Sequence, residues 1–235
     1  MEASNEKGIG HFIFAGDPAE FEDFEKIIER IELSNVQIGG ISQNQTLEDI
    51  LDTLYLKWFP QQDFTKQDLA NFPTLQPLPY TFDYSRFGAL IVFVKGYSSG
   101  HPECILTKEK HPYIALSVND LFWLMTHDNK LRKIPKLFFI DASTYASVWN
   151  GTVSWPPPKL YIELPPDLDR IFIATVSETK TQGDSLRFFS KLIDKLEERT
   201  HKSFRDFFKA VQEELKADLV IETIDHLGDD LTLPN

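Results

Sequence analysis

The chain has 235 residues, of which 42% are hydrophobic, and a formal net charge of −12 at pH 7. This length and apolar fraction suit one compact α/β domain with a sizeable core. The negative charge argues against a nucleic-acid backbone or an anionic membrane as the main partner.

The cysteine content and the N-terminus indicate the compartment. Cys104 is the single cysteine, so the chain has no intrachain disulfide and no cysteine-based metal site, which is typical of a reducing compartment. The first ten residues lack the apolar core of a signal peptide, and no apolar run reaches the roughly 18 residues that a transmembrane helix needs. We therefore expect a cytoplasmic protein. No metal-ligand spacing or phosphate loop is present, so we expect no metal and no cofactor.

The first third of the chain alternates strand and helix patterns. Gly10–Phe14 predicts a short buried strand, and apolar residues at helical spacing over Phe21–Ile31 predict an amphipathic helix. Val36–Ile41 predicts a second strand. Thr46–Leu54 begins in capping-box style and predicts another helix. Residues 60–87 lose the pattern, so we expect a long loop or insertion there.

The middle of the chain carries two continuous apolar runs, Gly88–Val94 and Lys136–Ile140. Such runs are typical of strands that are covered on both faces. Ser117–Met125 predicts a short helix between them.

A proline-rich connector separates the middle of the chain from its last third. Arg170–Val176 then predicts a strand, Leu186–Leu196 and Phe204–Leu215 predict two helices, and Leu219–Ile224 predicts a final strand. Strands that alternate with helices indicate a mainly parallel sheet with helices on both faces.

Two of the strand ends resemble the catalytic segments of caspases. Lys136–Ile140 continues into Asp141-Ala142-Ser143, which is similar to the strand that runs into Gln-Ala-Cys-x-Gly in that family, so that Ser143 stands in place of the nucleophilic cysteine. The strand Leu90–Val94 runs into Lys-Gly-Tyr, so that Gly96 stands where the family has its histidine. The separation, 143 − 96 = 47 positions, is close to the roughly 50 of caspases.

The resemblance extends over nearly the whole chain, because further degraded motifs follow in the family's order. It implies a caspase-like three-layer α/β/α sandwich with a mostly parallel six-stranded sheet, in a single domain. Residues 1–145 would be the part like the large subunit, 146–166 the proline-rich connector, and 167–235 the part like the small subunit. Cleavage at Asp167 or Asp169, which precede the next strand, stays open.

The same resemblance implies a pseudoenzyme. A cysteine protease needs a thiolate activated by a histidine, whereas Ser143 has a weakly acidic hydroxyl and Gly96 offers no base. Asp141 places a negative charge where caspases bind the aspartate side chain of the substrate. His101 is interpreted as a surface-loop residue. We therefore expect no protease activity.

The last strand resembles the strand through which caspases dimerise. We expect it to bind an active caspase, or a second copy of this chain, and so to regulate apoptosis or a related pathway; inhibition and activation both stay open. The expected interface residues are Leu219, Val220, Ile221, Glu222, Thr223 and Ile224.

Three other functions are considered. The first is a homodimeric scaffold or adaptor unrelated to caspase regulation, which docks through the 60–87 insertion and the 146–166 connector, with Trp149 and Trp155 as candidate docking residues. The second is a residual hydrolase that uses Ser143. The third rests on Gly183-Asp-Ser-Leu186, the motif of the GDSL hydrolases, but only 235 − 186 = 49 residues follow it. An N-cap by Asp184 or Ser185 explains that motif better.

Overall fold

The computed structural model describes residues 8–14, 18–33, 36–43, 87–98, 104–106, 115–117, 119, 122, 134–142, 162–164, 169–179, 186–200, 203–229 and 231. Within these residues the chain forms nine strands and three α-helices, the first helix being preceded by a 3-10 turn at Pro18–Glu20. In chain order the elements are β1 (Gly8–Phe14), α1 (Phe21–Leu33), β2 (Val36–Gln43), β3 (Ala89–Lys95), β4 (Tyr97–Ser98), β5 (Cys104–Leu106), β6 (Ala115–Ser117), β7 (Lys136–Asp141), β8 (Ile171–Thr179), α2 (Arg187–Glu197), α3 (Phe204–Leu215) and β9 (Leu219–His226).

The main sheet has six strands in the order β2-β1-β3-β7-β8-β9. All neighbours in it are parallel except β8 and β9, which are antiparallel. Strands β4, β5 and β6 form a separate small antiparallel sheet. The predicted α/β fold with a mostly parallel six-stranded sheet is therefore confirmed.

The predicted strands agree with the observed ones except at their ends. Strand β8 continues to Thr179, beyond the predicted end at Val176, and β9 continues to His226. These extensions consist largely of polar residues, so a hydropathy pattern does not predict them. The two strands still pair there, with a register shift between Val176 and Glu178. The predicted helix at Thr46–Leu54 and the predicted insertion at 60–87 lie outside the described residues. The predicted helix at Ser117–Met125 was wrong at its first residue, because Ser117 is the end of strand β6, whereas Asn119 and Phe122 are helical.

A row of three phenylalanines crosses the middle of the sheet. Phe12, Phe93 and Phe139 occupy matching positions on β1, β3 and β7. The ring centroids of Phe12 and Phe93 lie 5.1 Å apart, and those of Phe93 and Phe139 lie 5.3 Å apart. Since side chains on matching positions of neighbouring strands point to the same face, this row defines the face that the three helices cover.

Each helix packs an aromatic ring against this row. Phe24 of α1 and Phe189 of α2 contact each other edge-on at 5.8 Å, and Phe189 also contacts Phe93 at 5.7 Å. Phe208 of α3 lies 6.1 Å from Phe139. Edge-to-face and offset contacts of this kind are favourable beyond the area that they bury. The opposite face of the sheet is contacted by Phe122, whose ring lies 4.9 Å from that of Phe138.

The two C-terminal helices begin differently. Ser203 caps α3, since its hydroxyl accepts a hydrogen bond of 3.1 Å from the Asp206 amide. The N-cap of α2 is Leu186, which makes no side-chain capping bond. The prediction that Asp184 or Ser185 caps this helix was wrong, because the helix begins later and Leu186 is buried in the core instead.

A histidine is buried on the face of the sheet opposite the helices. His11 of β1 is 1% exposed, and burial lowers its pKa to about 3. Strand β2 passes close to it at Gly39, where a Cβ atom would lie 2.8 Å from the imidazole Cε1. The register of β1 and β2 shifts at this point. Glycine is therefore required at position 39 by the close approach of the backbone.

We expect His11 to make the fold sensitive to acid. The imidazole is neutral in the folded chain but takes up a proton in the unfolded chain below its ordinary pKa of 6.5. The free energy of unfolding should therefore fall as the pH decreases from 6.5 toward 3, by about 3 kcal/mol near pH 4.5. In His11→Gln this contribution should be absent. Urea denaturation of both proteins between pH 7.5 and 4.5 measures the difference.

The control for this experiment is His226→Gln, which removes an exposed imidazole at the end of β9. Its pH profile should run parallel to that of the unmodified chain. If the profile of His11→Gln also runs parallel, burial of His11 does not cause the acid sensitivity.

Candidate functional site

Strands β3 and β7 end side by side. They are parallel neighbours, with Lys95 opposite Asp141, and the Gly96 amide donates a hydrogen bond of 2.9 Å to the Asp141 carbonyl. The positions that resemble the caspase histidine and glutamine are therefore adjacent. They lie at the carboxyl ends of parallel strands, which is where open α/β sheets usually carry their ligand sites.

The main side-chain interaction at this place is an ion pair. Lys95 Nζ lies 3.3 Å from Asp141 Oδ2, and the two side chains are 1% and 4% exposed. On the neighbouring strands Phe14 matches Lys95 and Val176 matches Asp141. The pair is thus bordered within the sheet by an apolar residue on each side, and it lies on the same face as the phenylalanine row.

A buried ion pair is costly to form and also costly to break. Both charges must leave water, and their attraction offsets this loss only when each keeps its partner. Removing one member deprives the other buried charge of this partner, whereas removing both removes both charges. Lys95 and Asp141 should therefore act as one unit. A pocket that holds the aspartate of a substrate needs positive charge, and the Lys95 ammonium is already paired with a carboxylate.

Lys95 was not predicted from the sequence to belong to the site. A lysine directly after an apolar run is usually interpreted as the solvated end of a strand. The signal that could have found it is that Lys95 follows one apolar run and Asp141 follows the other. Once the two runs are placed as parallel neighbours, opposite charges face each other at matching ends.

Only some of the other predicted site residues lie in the described part of the chain. Gly96 and Ala142 are buried at the strand ends. Ser143, His101, Trp149 and Trp155 lie outside the described residues.

Within the described ranges no group of three or more His, Cys, Asp or Glu side chains is arranged to bind a metal ion. The helices of this part of the chain include none that is long and apolar enough to cross a membrane.

The predicted interface strand β9 lies at the edge of the sheet. In the part of the chain that the structure describes, its neighbour in the sheet is β8. Ile221 and Ile224 are half-buried, and Thr223 is exposed. Edge strands are common sites of pairing between proteins, because a strand carries a regular row of backbone donors and acceptors.

Two ion pairs fix the ends of β9. Arg187 of α2 lies 2.7 Å from Asp218, directly before the strand. Arg205 of α3 donates from Nε and Nη2 to the two oxygens of Asp225, at 2.7 and 3.0 Å. Paired hydrogen bonds of this kind fix orientation as well as position. The edge strand is therefore held to the helix layer at both ends.

Comparison with known proteins supports the fold. No family model matches the chain, and no curated protein matches it. Among solved structures, pro-sf-caspase-1 superimposes with a TM-score of 0.59 at 12% sequence identity, covering 97% of this chain and 91% of that one. At this identity the similarity shows the fold alone, which is caspase-like.

We expect Lys95 and Asp141 to be strongly coupled in stability. Lys95→Met or Asp141→Leu alone should lower the free energy of unfolding by about 3–5 kcal/mol, because each deprives the other buried charge of this ion pair. The double variant should lose much less than the sum of the two. A double-mutant cycle by urea denaturation measures the coupling.

The control for this cycle is Lys26→Met on α1. Lys26 pairs with Asp23 at 2.8 Å on the exposed surface, and its loss should leave stability nearly unchanged. Additive effects of Lys95→Met and Asp141→Leu would show that the two side chains do not depend on each other.

Proposed function

We propose that this chain is a non-catalytic caspase homologue that binds an active caspase and changes its activity. The observation that carries the proposal is the buried Lys95–Asp141 pair beside Gly96, in a caspase-like fold. The fold supports a family relationship, and the chemistry at the strand ends favours binding over catalysis.

Catalysis by a serine or cysteine protease requires an activated nucleophile. A serine or cysteine attacks a peptide carbonyl only when a base within hydrogen-bond reach accepts its proton. Gly96 has no side chain to serve as that base, and its amide already donates to the Asp141 carbonyl. The Lys95 amine, on the helix-covered face, is held by Asp141. The residue types at both strand ends therefore favour a stable scaffold over proton transfer.

Strand β9 is the candidate docking element. An edge strand can pair with the edge strand of a second protein, with main-chain hydrogen bonds giving affinity and alternate side chains giving specificity. Strand β9 has eight residues, and the Arg187–Asp218 and Arg205–Asp225 pairs hold it in position. A strand that is already ordered loses little conformational entropy when it binds. These features support β9 as the docking strand for the related edge of a caspase.

The first test is enzymatic. Increasing amounts of the purified chain are added to an active caspase from the same organism, and cleavage of a fluorogenic aspartate peptide is followed. We expect the rate to change and to saturate, and the direction distinguishes an inhibitor from an activator. The chain alone should cleave nothing. A flat titration against the caspases of that organism would contradict the proposal.

The second test locates the interface. Thr223→Pro removes a backbone donor in the middle of β9, and since Thr223 is exposed, little packing is lost. We expect the variant to remain folded by circular dichroism but to lose the effect on the caspase. Thr223→Ala is the matched control, because it removes the same side chain and keeps the donor. Binding that survives the proline would exclude β9 as the interface.

The same experiments address the homodimeric scaffold that docks through the 60–87 insertion. Under that alternative, deletion of residues 60–87 removes binding and Thr223→Pro does not. Sedimentation of the chain alone, with and without Thr223→Pro, tests whether two copies pair through β9.

A further inference from the structure

Lys136, the first residue of β7, makes hydrogen bonds to the segment directly before β8. The Lys136 amide donates a hydrogen bond of 2.8 Å to the Arg170 carbonyl. The Lys136 ammonium donates to the Asp169 carbonyl at 3.1 Å and to the Ile134 carbonyl at 3.0 Å. Lys136 therefore holds two consecutive carbonyls of the segment that leads into β8.

The burial of Lys136 makes these bonds strong. Its side chain is 0% exposed, and burial lowers its pKa to about 8, so that the amine is still mainly protonated at pH 7. A buried ammonium must keep its acceptors, because leaving it unsatisfied costs several kcal/mol. Hydrogen bonds from a charged donor are also stronger than neutral ones. The Asp169 carbonyl is therefore held from inside the protein.

The side chains of the same segment are accessible. Asp169 and Arg170 are both exposed, and Arg170 has a φ of 53°, in the left-handed region that turns the chain sharply. The next residue, Ile171, is 0% exposed and matches Lys136 across the sheet. The side chains of Asp169 and Arg170 are therefore accessible to a protease, whereas their backbone carbonyls are bound by Lys136.

Proteolysis requires the backbone rather than the side chain. A protease binds several residues in an extended form and attacks the carbonyl of the residue before the cleaved bond. For cleavage after Asp169, that carbonyl is bound by the Lys136 ammonium. Arg170 follows the bond, and the residues after it belong to β8, which lies between β7 and β9. Cleavage at this position therefore requires β8 to leave the sheet.

We propose that Lys136 protects the Asp169–Arg170 bond, so that a chain bound to an aspartate-specific protease is not cut there. Only the identity of that protease rests on the function proposed above. The protection itself is a property of the isolated chain and can be tested without any caspase.

The first experiment uses the unmodified chain. A glutamyl endopeptidase under conditions in which it also cleaves after aspartate probes the Asp169–Arg170 bond, and trypsin probes the Arg170–Ile171 bond. Mass spectrometry quantifies each product across a urea series. We expect both rates to increase with urea in parallel with global unfolding, since the sites open only when β8 leaves the sheet. Cleavage of either bond in native buffer at a rate that does not depend on urea would overturn the proposal.

The second experiment uses Lys136→Met, which keeps the length of the side chain and removes its charge and donors. We expect the glutamyl endopeptidase to cut after Asp169 at least about tenfold faster than in the unmodified chain, at equal distance from each protein's unfolding midpoint. Lys209→Met, an exposed position on α3, is the control and should cut at the original rate. Equal rates for Lys136→Met and the unmodified chain would also overturn the proposal.

The outcomes of these experiments can be distinguished from one another. If Lys136→Met does not fold, the urea series on the unmodified chain still decides whether the bond is protected in the folded protein. If the caspase titration is flat while cleavage after Asp169 is slow in the unmodified chain and faster in Lys136→Met, the proposed function fails and the protective role of Lys136 stands.

Discussion

The row formed by Phe12, Phe93 and Phe139 is the constraint on which the rest of the structure depends. Three large rings must lie at the same level of three parallel strands to reach centroid distances of 5.1 and 5.3 Å. Because side chains alternate between faces, a slip of one residue in any strand would move its ring to the opposite face. The row therefore fixes the register of the central strands, and Phe189, Phe24 and Phe208 fix the helices above it.

The same register creates the ion pair at the strand ends. Lys95 lies two residues beyond Phe93, and Asp141 lies two residues beyond Phe139, so both point to the helix-covered face. Their opposition follows from the alignment that the rings impose. The pair in turn favours this register, since a slipped alignment would separate the two buried charges. The aspartate at position 141 is thus explained by its pairing with Lys95.

The strands were largely predictable from sequence, and the polar contacts were not. Apolar runs such as Lys136–Ile140 identify central strands because both of their faces are buried. The polar end of β8, up to Thr179, carries no such signal, and the N-cap of α2 was missed because Leu186 is buried and makes no side-chain capping bond. The pairing of Lys95 with Asp141 depends on strand order, since two residues far apart in the chain meet only when β3 and β7 are neighbours. Part of the candidate site, Ser143 included, lies outside the described residues.

Strand β7 has a buried charged residue at each end. Asp141 at its carboxyl end pairs with Lys95 of β3, and Lys136 at its amino end binds the segment before β8. Through β8 the second contact also supports β9, which pairs with β8 along its whole length. If β9 is the docking strand, then its position depends on β8, and β8 on Lys136. Binding through β9 would therefore require both ends of β7 to be intact, because they stabilise the sheet that positions this edge strand.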